Sequence, residues 1–354
     1  MKKSVLAVAV SAAMVMAGAA NADVSISGEA ALSFDSLNNG KDSWLALSSN
    51  TSTLAIKSVE EIEGGMKAIV FYEQTVKADT GSQAAVWDKQ SYIKLLGGFG
   101  GVTLGRVESP FKKLSRGVDF FGNQVGDSRN LISDKTSNAD LRASNSITYT
   151  SPDMGGFTAD AMYIVEDGNK TKTSGFQLVG NFVMGAITAG VGYQSLGKGF
   201  TTTTSGTPAV TTMNGTAETT LRLVGSYTLG DMKFAGLIQS GTALNGKKYS
   251  SGTKKTDRTA FGVGGSYKIG AGAAKVQIYN VGESGVKKDG AMEIALGYDH
   301  SLSKNTMVYA AYAMTNNDKN AKFSASGAGH GDNSGVDANG KDPSGLSIGT
   351  RVKF

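Results

Sequence analysis

The sequence predicts an all-β fold, a transmembrane antiparallel β-barrel of about sixteen strands. Three observations lead there. Apolar and polar residues alternate along almost the whole chain, a secretory leader is followed by no second long apolar run, and cysteine is absent from all 354 residues.

The leader comes first. Lys2 and Lys3 precede an apolar stretch at 5–16, and Ala20, Asn21 and Ala22 give a small-x-small cleavage pattern. Residues 1–22 therefore read as a cleaved signal peptide, with Asp23 as the mature start and 23–354 as a single barrel domain. No later segment approaches the ~20 apolar residues of a spanning helix.

The strands follow from period-2 alternation. Phe176, Leu178, Phe182 and Met184 oppose Gln177 and Asn181. Leu221, Leu223, Tyr227 and Leu229 oppose Arg222, Ser226 and Thr228, and Phe261, Val263, Tyr267 and Ile269 oppose Ser266 and Lys268. At the carboxy terminus Leu346, Ile348, Val352 and Phe354 oppose Ser347, Arg351 and Lys353, and the chain stops on the aromatic residue. Such strands need an apolar medium on one face and water on the other. The mean hydropathy of -0.15 fits, because lipid-facing and lumen-facing residues cancel.

Connections alternate in length. Segments 61–65, 229–232 and 299–305 read as tight turns, whereas 35–43, 165–174, 196–218, 240–256 and 315–344 read as long polar loops. Bacterial barrels place short turns on the periplasmic side and long loops outside. Tyr149, Tyr227, Tyr267, Tyr298 and Tyr312 near strand ends suit interfacial aromatic girdles.

Charge and chemistry exclude other classes. A net charge of +5, part of it in the leader, is too mild and too interspersed for a nucleic-acid partner. With no cysteine and two histidines, His300 in a turn and His330 in a long loop, no enzyme, cofactor or metal site is expected. Segment 337–342 (DANGKD) lacks the spacing and terminal glutamate of a calcium loop. Segment 97–101 (GGFGG) opens a strand, not a helix, and so is no phosphate cradle.

Several stretches together carry a family resemblance: 23–32 (DVSISGEAAL), 60–69 (EEIEGGMKAI), 98–106 (GFGGVTLGR), 142–149 (RASNSITY) and the terminal strand with Phe354. The chain resembles the general trimeric porins of Gram-negative bacteria, of the type found in Vibrio and related marine γ-proteobacteria. The resemblance implies passive diffusion of small hydrophilic solutes and ions through a water-filled outer-membrane barrel. It implies a homotrimer set in outer-membrane lipid and lipopolysaccharide, and a third loop, at about 107–141, folded inward to narrow the pore.

It also implies site residues. Segment 118–122 (VDFFG) resembles the family's loop tip, so Asp119, and further along Asp127, are the expected acidic constriction residues. Arg142, Lys89, Arg106 and Lys57 are the expected basic residues of the facing wall, and Phe354 closes the barrel. Opposed charges across a narrow lumen sort solutes by charge and dipole. Parity from Val102 and Leu104 would aim Arg106 outward, so a bulge or strand end must intervene there. Thr53 and Glu29 stand where family members carry arginine and lysine, which leaves anion against cation preference open. An alternative role is that of an adhesin or structural anchor acting through extracellular loops such as 196–218.

Overall fold

The computed structural model describes residues 22–82, 85–133, 140–165, 174–197, 218–242, 257–284 and 287–354. The leader up to Asn21 and most of the 196–218 and 240–256 loops lie outside the described residues.

The chain opens with β1 (Ala22–Asn38), β2 (Ser43–Ser49), β3 (Thr53–Ile62), β4 (Met66–Thr75), β5 (Gln90–Gly97) and β6 (Gly100–Glu108). There follow β7 (Arg142–Thr150), β8 (Phe157–Ile164), β9 (Gly175–Met184), β10 (Ile187–Leu196) and β11 (Glu218–Leu229). The series ends with β12 (Met232–Thr242), β13 (Asp257–Ile269), β14 (Gly272–Val281), β15 (Ala291–Ser301), β16 (Thr306–Asn317) and β17 (Ser344–Lys353). Consecutive strands from β3 to β17 pair antiparallel, and β17 returns to pair with β1. Because β2 and β3 both pair with β1, they form one interrupted stave, and the closed barrel has sixteen.

Alternation sets the two faces. Ile348 is 62% exposed toward the membrane side while Ser347 beside it is fully buried toward the interior. Leu221, Leu223, Phe261 and Val263 likewise stand outside, whereas Arg222, Gln239 and Gln277 are enclosed. Water-facing polar side chains of a simple pipe would stay exposed. Their burial means that something else fills part of the lumen.

Closure occurs at Phe354. Its backbone N–H donates to the Gly28 carbonyl at 3.1 Å and its carbonyl accepts from the Gly28 N–H at 2.9 Å. The ring lies where a Gly28 side chain would stand, so only glycine admits it.

Two expectations about connections change. The loop expected at 35–43 is mostly strand, because β1 runs to Asn38 and pairs with β2 from Ser43, leaving a four-residue turn. Local turn residues Asn38, Asn39 and Gly40 mark that turn, but strand pairing extends right up to it. The long 315–344 connection is 318–343, and it packs back onto the barrel interior.

The break between β2 and β3 has a structural reason. Thr51 takes a left-handed φ of 60°, and the polar side chains on either side turn inward. Asn50 donates to Ser33 Oγ at 2.7 Å and to Tyr309 Oη at 3.1 Å, and Ser52 Oγ accepts the Ala31 N–H at 2.9 Å. These side chains replace the ladder bonds that the kink removes.

Candidate functional site

Between β6 and β7 the chain leaves the wall and re-enters it at Arg142. It begins with a helix, α1 (Pro110–Val118), and includes a short one, α2 (Arg129–Ile132). Ser109 caps α1, its hydroxyl accepting the Lys112 N–H at 3.2 Å, and Pro110 occupies the first turn where no donor is needed. Phe111, Leu114, Ser115 and Val118 share one buried face, while Lys113 and Gly117 look into the lumen. That face lies on β10, where Gly190 and Gly192 leave room for Leu114 and Phe111.

Side chains from four wall strands hold this loop inward. On β11, Arg222 is fully buried and donates to the Phe111 carbonyl at 2.9 Å and to Asp140 at 2.8 Å, with its guanidinium 4.5 Å above the Phe111 ring. Gln239 on β12 accepts from Arg222 Nε at 2.9 Å and donates to the Ile132 carbonyl at 2.9 Å. On β14, Lys275 donates to the Phe120 carbonyl at 3.0 Å and to Gln124 at 2.7 Å, and Gln277 brackets the tip by bonding Phe120 N–H and the Gly126 carbonyl. On β15, Glu293 accepts from Asn130 at 3.3 Å.

The approach at Gly126 is tight. A Cβ there would sit 2.5 Å from Ala295 Cβ and 3.0 Å from Ala313 Cβ, and φ is +81°. Gly126→Val is therefore expected to push the tip off β15 and β16. The check is single-channel recording: larger and noisier steps are expected, and unchanged steps would mean that this contact does not set the lumen width.

Inside the loop the two carboxylates do different things. Asp119 accepts the Phe121 N–H at 2.9 Å and the Ser128 N–H at 3.3 Å. Burial, then repulsion from Asp127, pushes its carboxyl up to about 6. Asp127 is completely buried and accepts from the Asn123 N–H at 2.7 Å, the Arg129 N–H at 3.0 Å and Arg129 Nε at 2.9 Å. Burial opposes its charge, but Arg129 and Arg116 outweigh it and hold the carboxyl low. Asp127 was expected to line the pore. Its burial under Arg129 makes it the fastener of the loop turn, with no surface to offer a solute.

The wall residues also divide. Lys57 on β3 is exposed and forms no hydrogen bond or ion pair among the described residues. Lys89, just before β5, is 5% exposed, and burial, then Arg142, brings its ammonium down to about 8. Arg106 donates to the Asp88 carbonyl at 2.8 Å, to Ser144 Oγ at 2.7 Å and to the Arg142 carbonyl at 3.2 Å. The β6–β7 register slips between Gly105 and Val107, where parity required a bulge. Arg142 lies 3.7 Å from Glu108, which also pairs with Lys112 at 3.0 Å. The structure thus gathers Lys89, Arg106 and Arg142 near the start of α1, and Asp119 with Asp127 in the loop. No ion pair links the two groups among the described residues.

Reasoning from sequence missed Arg222, Lys275, Gln239 and Gln277 as loop anchors. Their lumen parity was readable, but that they would hold a loop was not. It also missed Lys112, Arg116 and Arg129, the basic residues within the loop itself.

A closed barrel with an inward third loop is a specific architecture, and the family comparison agrees with it. The model of the Gram-negative porin family matches residues 7–320. The chain belongs to the Gram-negative porin family. Outer membrane porin protein 32 of Delftia acidovorans is 28% identical over 371 residues, covering 100% of both chains. Major outer membrane protein P.IB of Neisseria sicca is 25% identical over 340 residues, covering 86% of this chain and 91% of the relative. The anion-selective porin from Comamonas acidovorans superposes with a TM-score of 0.78 at 25% identity, covering 94% of this chain and 100% of the other. OmpT of Vibrio cholerae reaches a TM-score of 0.69 at 16% identity, so the expected Vibrio likeness extends to the fold alone. This porin is an outer-membrane channel for passive diffusion, and the adhesin alternative is not favoured.

Proposed function

We propose that this porin passes anions in preference to cations. Across 107–141 the loop's charges balance in sequence, Lys112, Lys113, Arg116, Arg129 and Lys135 against Glu108, Asp119, Asp127, Asp134 and Asp140. Asp119 and Asp127 are spent on the loop's own backbone and on Arg129, Glu108 on Lys112 and Asp140 on Arg222, whereas Lys113 is exposed and forms no ion pair among the described residues. Lys57, Lys94, Lys89, Arg106 and Arg142 add positive charge on and beside β3 to β7, offset in part by Glu73, Asp88 and Glu108. An excess of one sign in a narrow, low-dielectric passage raises the local concentration of the counter-ion. The relative from Comamonas acidovorans described as anion-selective supports the same sign. The exposed cations Lys113 and Lys57, which form no ion pair among the described residues, carry the reading, and a constriction at about 107–141 is part of the proposal.

Reversal potential in a salt gradient tests it. Wild-type porin is expected to reverse on the anion side, and Lys57→Glu to lower the anion preference several-fold, on the order of a change of two charges in a confined pore. Acidification through about 6 neutralises Asp119 and is expected to strengthen the preference, because a raised carboxyl loses its charge first. Cation-side reversal in the wild type would remove the proposal.

A homotrimer in outer-membrane lipid, with lipopolysaccharide at the long-loop end, is the proposed assembly, following the resemblance carried by 23–32 and 98–149. Cleavage before Asp23 is proposed for the leader. A hydrolytic role gains no support from His330, whose side chain is fully enclosed.

A further inference from the structure

The two inward loops leave one stretch of the inner wall without bonded cover. The third loop is held on β11, β12, β14 and β15 through Arg222, Gln239, Lys275, Gln277 and Glu293. The last loop, 318–343, lies beside it. Arg129 Nη2 donates to the Ala328 carbonyl at 2.9 Å, and Thr51 Oγ1, at the break between β2 and β3, donates to the Gly329 carbonyl at 2.7 Å. Neither loop makes a hydrogen bond or ion pair with β3, β4 or β5 among the described residues. A solute in the channel therefore moves along the inner face of those three strands.

That face carries a feature that alternation does not call for. The lumen side of a barrel strand is normally polar, yet Phe71 on β4 and Tyr92 on β5 both stand on it. Their neighbours Tyr72 and Ile93 are exposed on the outer face, and Phe71 lies opposite Lys57 on one side and opposite Tyr92 on the other. The two ring centroids are 5.3 Å apart with the planes inclined by 30°, within the range in which aromatic rings attract. Tyr92 leans on the buried cluster of Val107, Leu141 and Ala143, which fixes its ring. Both rings are only half-buried, and the Tyr92 hydroxyl forms no hydrogen bond among the described residues. Aromatic surface facing water is surface that a solute can cover with gain.

The charges around the pair are ordered along the channel. Lys57 stands in the same row, directly across the β3–β4 ladder from Phe71, exposed and without an ion pair among the described residues. Lys94 stands one row nearer the short turn at 63–65, opposite Ile69, and its stem runs over Gly101 away from the rings. Glu73 stands one row nearer the long-loop end, and its carboxylate accepts from Gln90 Nε2 at 2.8 Å. Negative charge therefore lies on one side of the ring pair, with positive charge beside it and beyond it. A flat solute stacked on Phe71 and Tyr92 is favoured when its own charge is negative and turned toward Lys57, away from Glu73.

We propose that Phe71, Tyr92 and Lys57 form a subsite for aromatic carboxylates on the uncovered wall of the channel. An aliphatic carboxylate meets the ammonium but gains nothing from the π-faces, and a neutral aromatic solute meets the rings but not the charge. A planar ring carrying a carboxylate uses both. The proposal rests on the anion preference and adds a solute class to it.

The probe is benzoate, set against cyclohexanecarboxylate, which has the same charge and nearly the same size but no π-face. Each is added at neutral pH to the full porin in planar bilayers carrying a chloride current. Benzoate is expected to half-block that current at a roughly 2- to 10-fold lower concentration than cyclohexanecarboxylate, the size of one ring-on-ring contact. Phe71→Leu, which keeps apolar bulk and loses the ring, should bring the two concentrations together, whereas Phe71→Tyr should keep them apart. The chloride current itself reports that each variant is folded. Equal block by the two acids in the wild type would overturn the subsite, and so would a difference that survives Phe71→Leu. Chloride reversal potential in the same membranes separates this result from the ion preference. Reversal on the cation side removes the preference and the subsite with it, whereas anion-side reversal with equal block removes the subsite alone.

Discussion

Arg222→Ala is expected to release the third loop from the wall and to widen the channel. Arg222 is fully buried on β11, and no water reaches the groups it serves. Its removal strips the partner from Asp140, from the Phe111 carbonyl at the start of α1 and from Gln239. Removing one member of a buried ion pair costs about 3–5 kcal/mol, because the remaining charge stays out of water. The loss falls on the loop, since the β11 ladder to β10 and β12 is made by backbone groups that the substitution leaves in place. Barrel folding should therefore survive while α1 detaches. Larger, noisy conductance and faster uptake of bulky sugars into liposomes are the expected readouts. A variant with wild-type conductance and size limit would show that α1 does not depend on this anchor.

Asp127→Ala should act on the loop from within. Asp127 organises the turn that follows the tip by accepting two backbone N–H groups, and it neutralises Arg129 and Arg116. Without it Arg129, whose side chain is 11% exposed, is left as a nearly buried cation with no carboxylate. The expected cost is again about 3–5 kcal/mol. Two consequences separate this variant from Arg222→Ala. The loop gains net positive charge, so the reversal potential should move further toward anions. The turn that carries the Ala328 contact also loosens, so the last loop should dock less firmly. Asp119→Asn provides the contrast. Asp119 already resists ionisation, and an amide oxygen can still accept one of the two N–H groups, of Phe121 or Ser128, that the two carboxylate oxygens accept, so a milder effect on loop order than in Asp127→Ala is expected. Equal effects from the two substitutions would contradict the separate roles assigned to them.

Much of the barrel is readable from period-2 alternation. Leu221, Leu223, Tyr227 and Leu229 set the outward face of β11 whatever surrounds the strand, and the same holds for β9, β13 and β17. Arg222 was correctly placed on the opposite parity by that rule. Alternation says which face a side chain takes, but not what it meets there. Water, a loop or a solute could have occupied the space before Arg222, and the chain that fills it lies 82 to 111 positions earlier. Asp127 is hidden from sequence reasoning for the same reason. A carboxylate in a polar loop looks alike whether it faces the lumen or an arginine two residues on. The β2–β3 break is a third case, because Asn50, Thr51 and Ser52 resemble an ordinary turn until the last loop is seen resting on them.

By itself the sequence determined the strand faces and the antiparallel order, because these depend on parity and on neighbours along the chain. The tertiary structure decided which charges are spent on holding loops and which remain for solutes. That division arises from contacts between segments far apart in the chain, where burial makes an ion pair with a loop worth more than hydration in the lumen. Arg222 and Asp127 lie on one side of it, and Lys57 on the other.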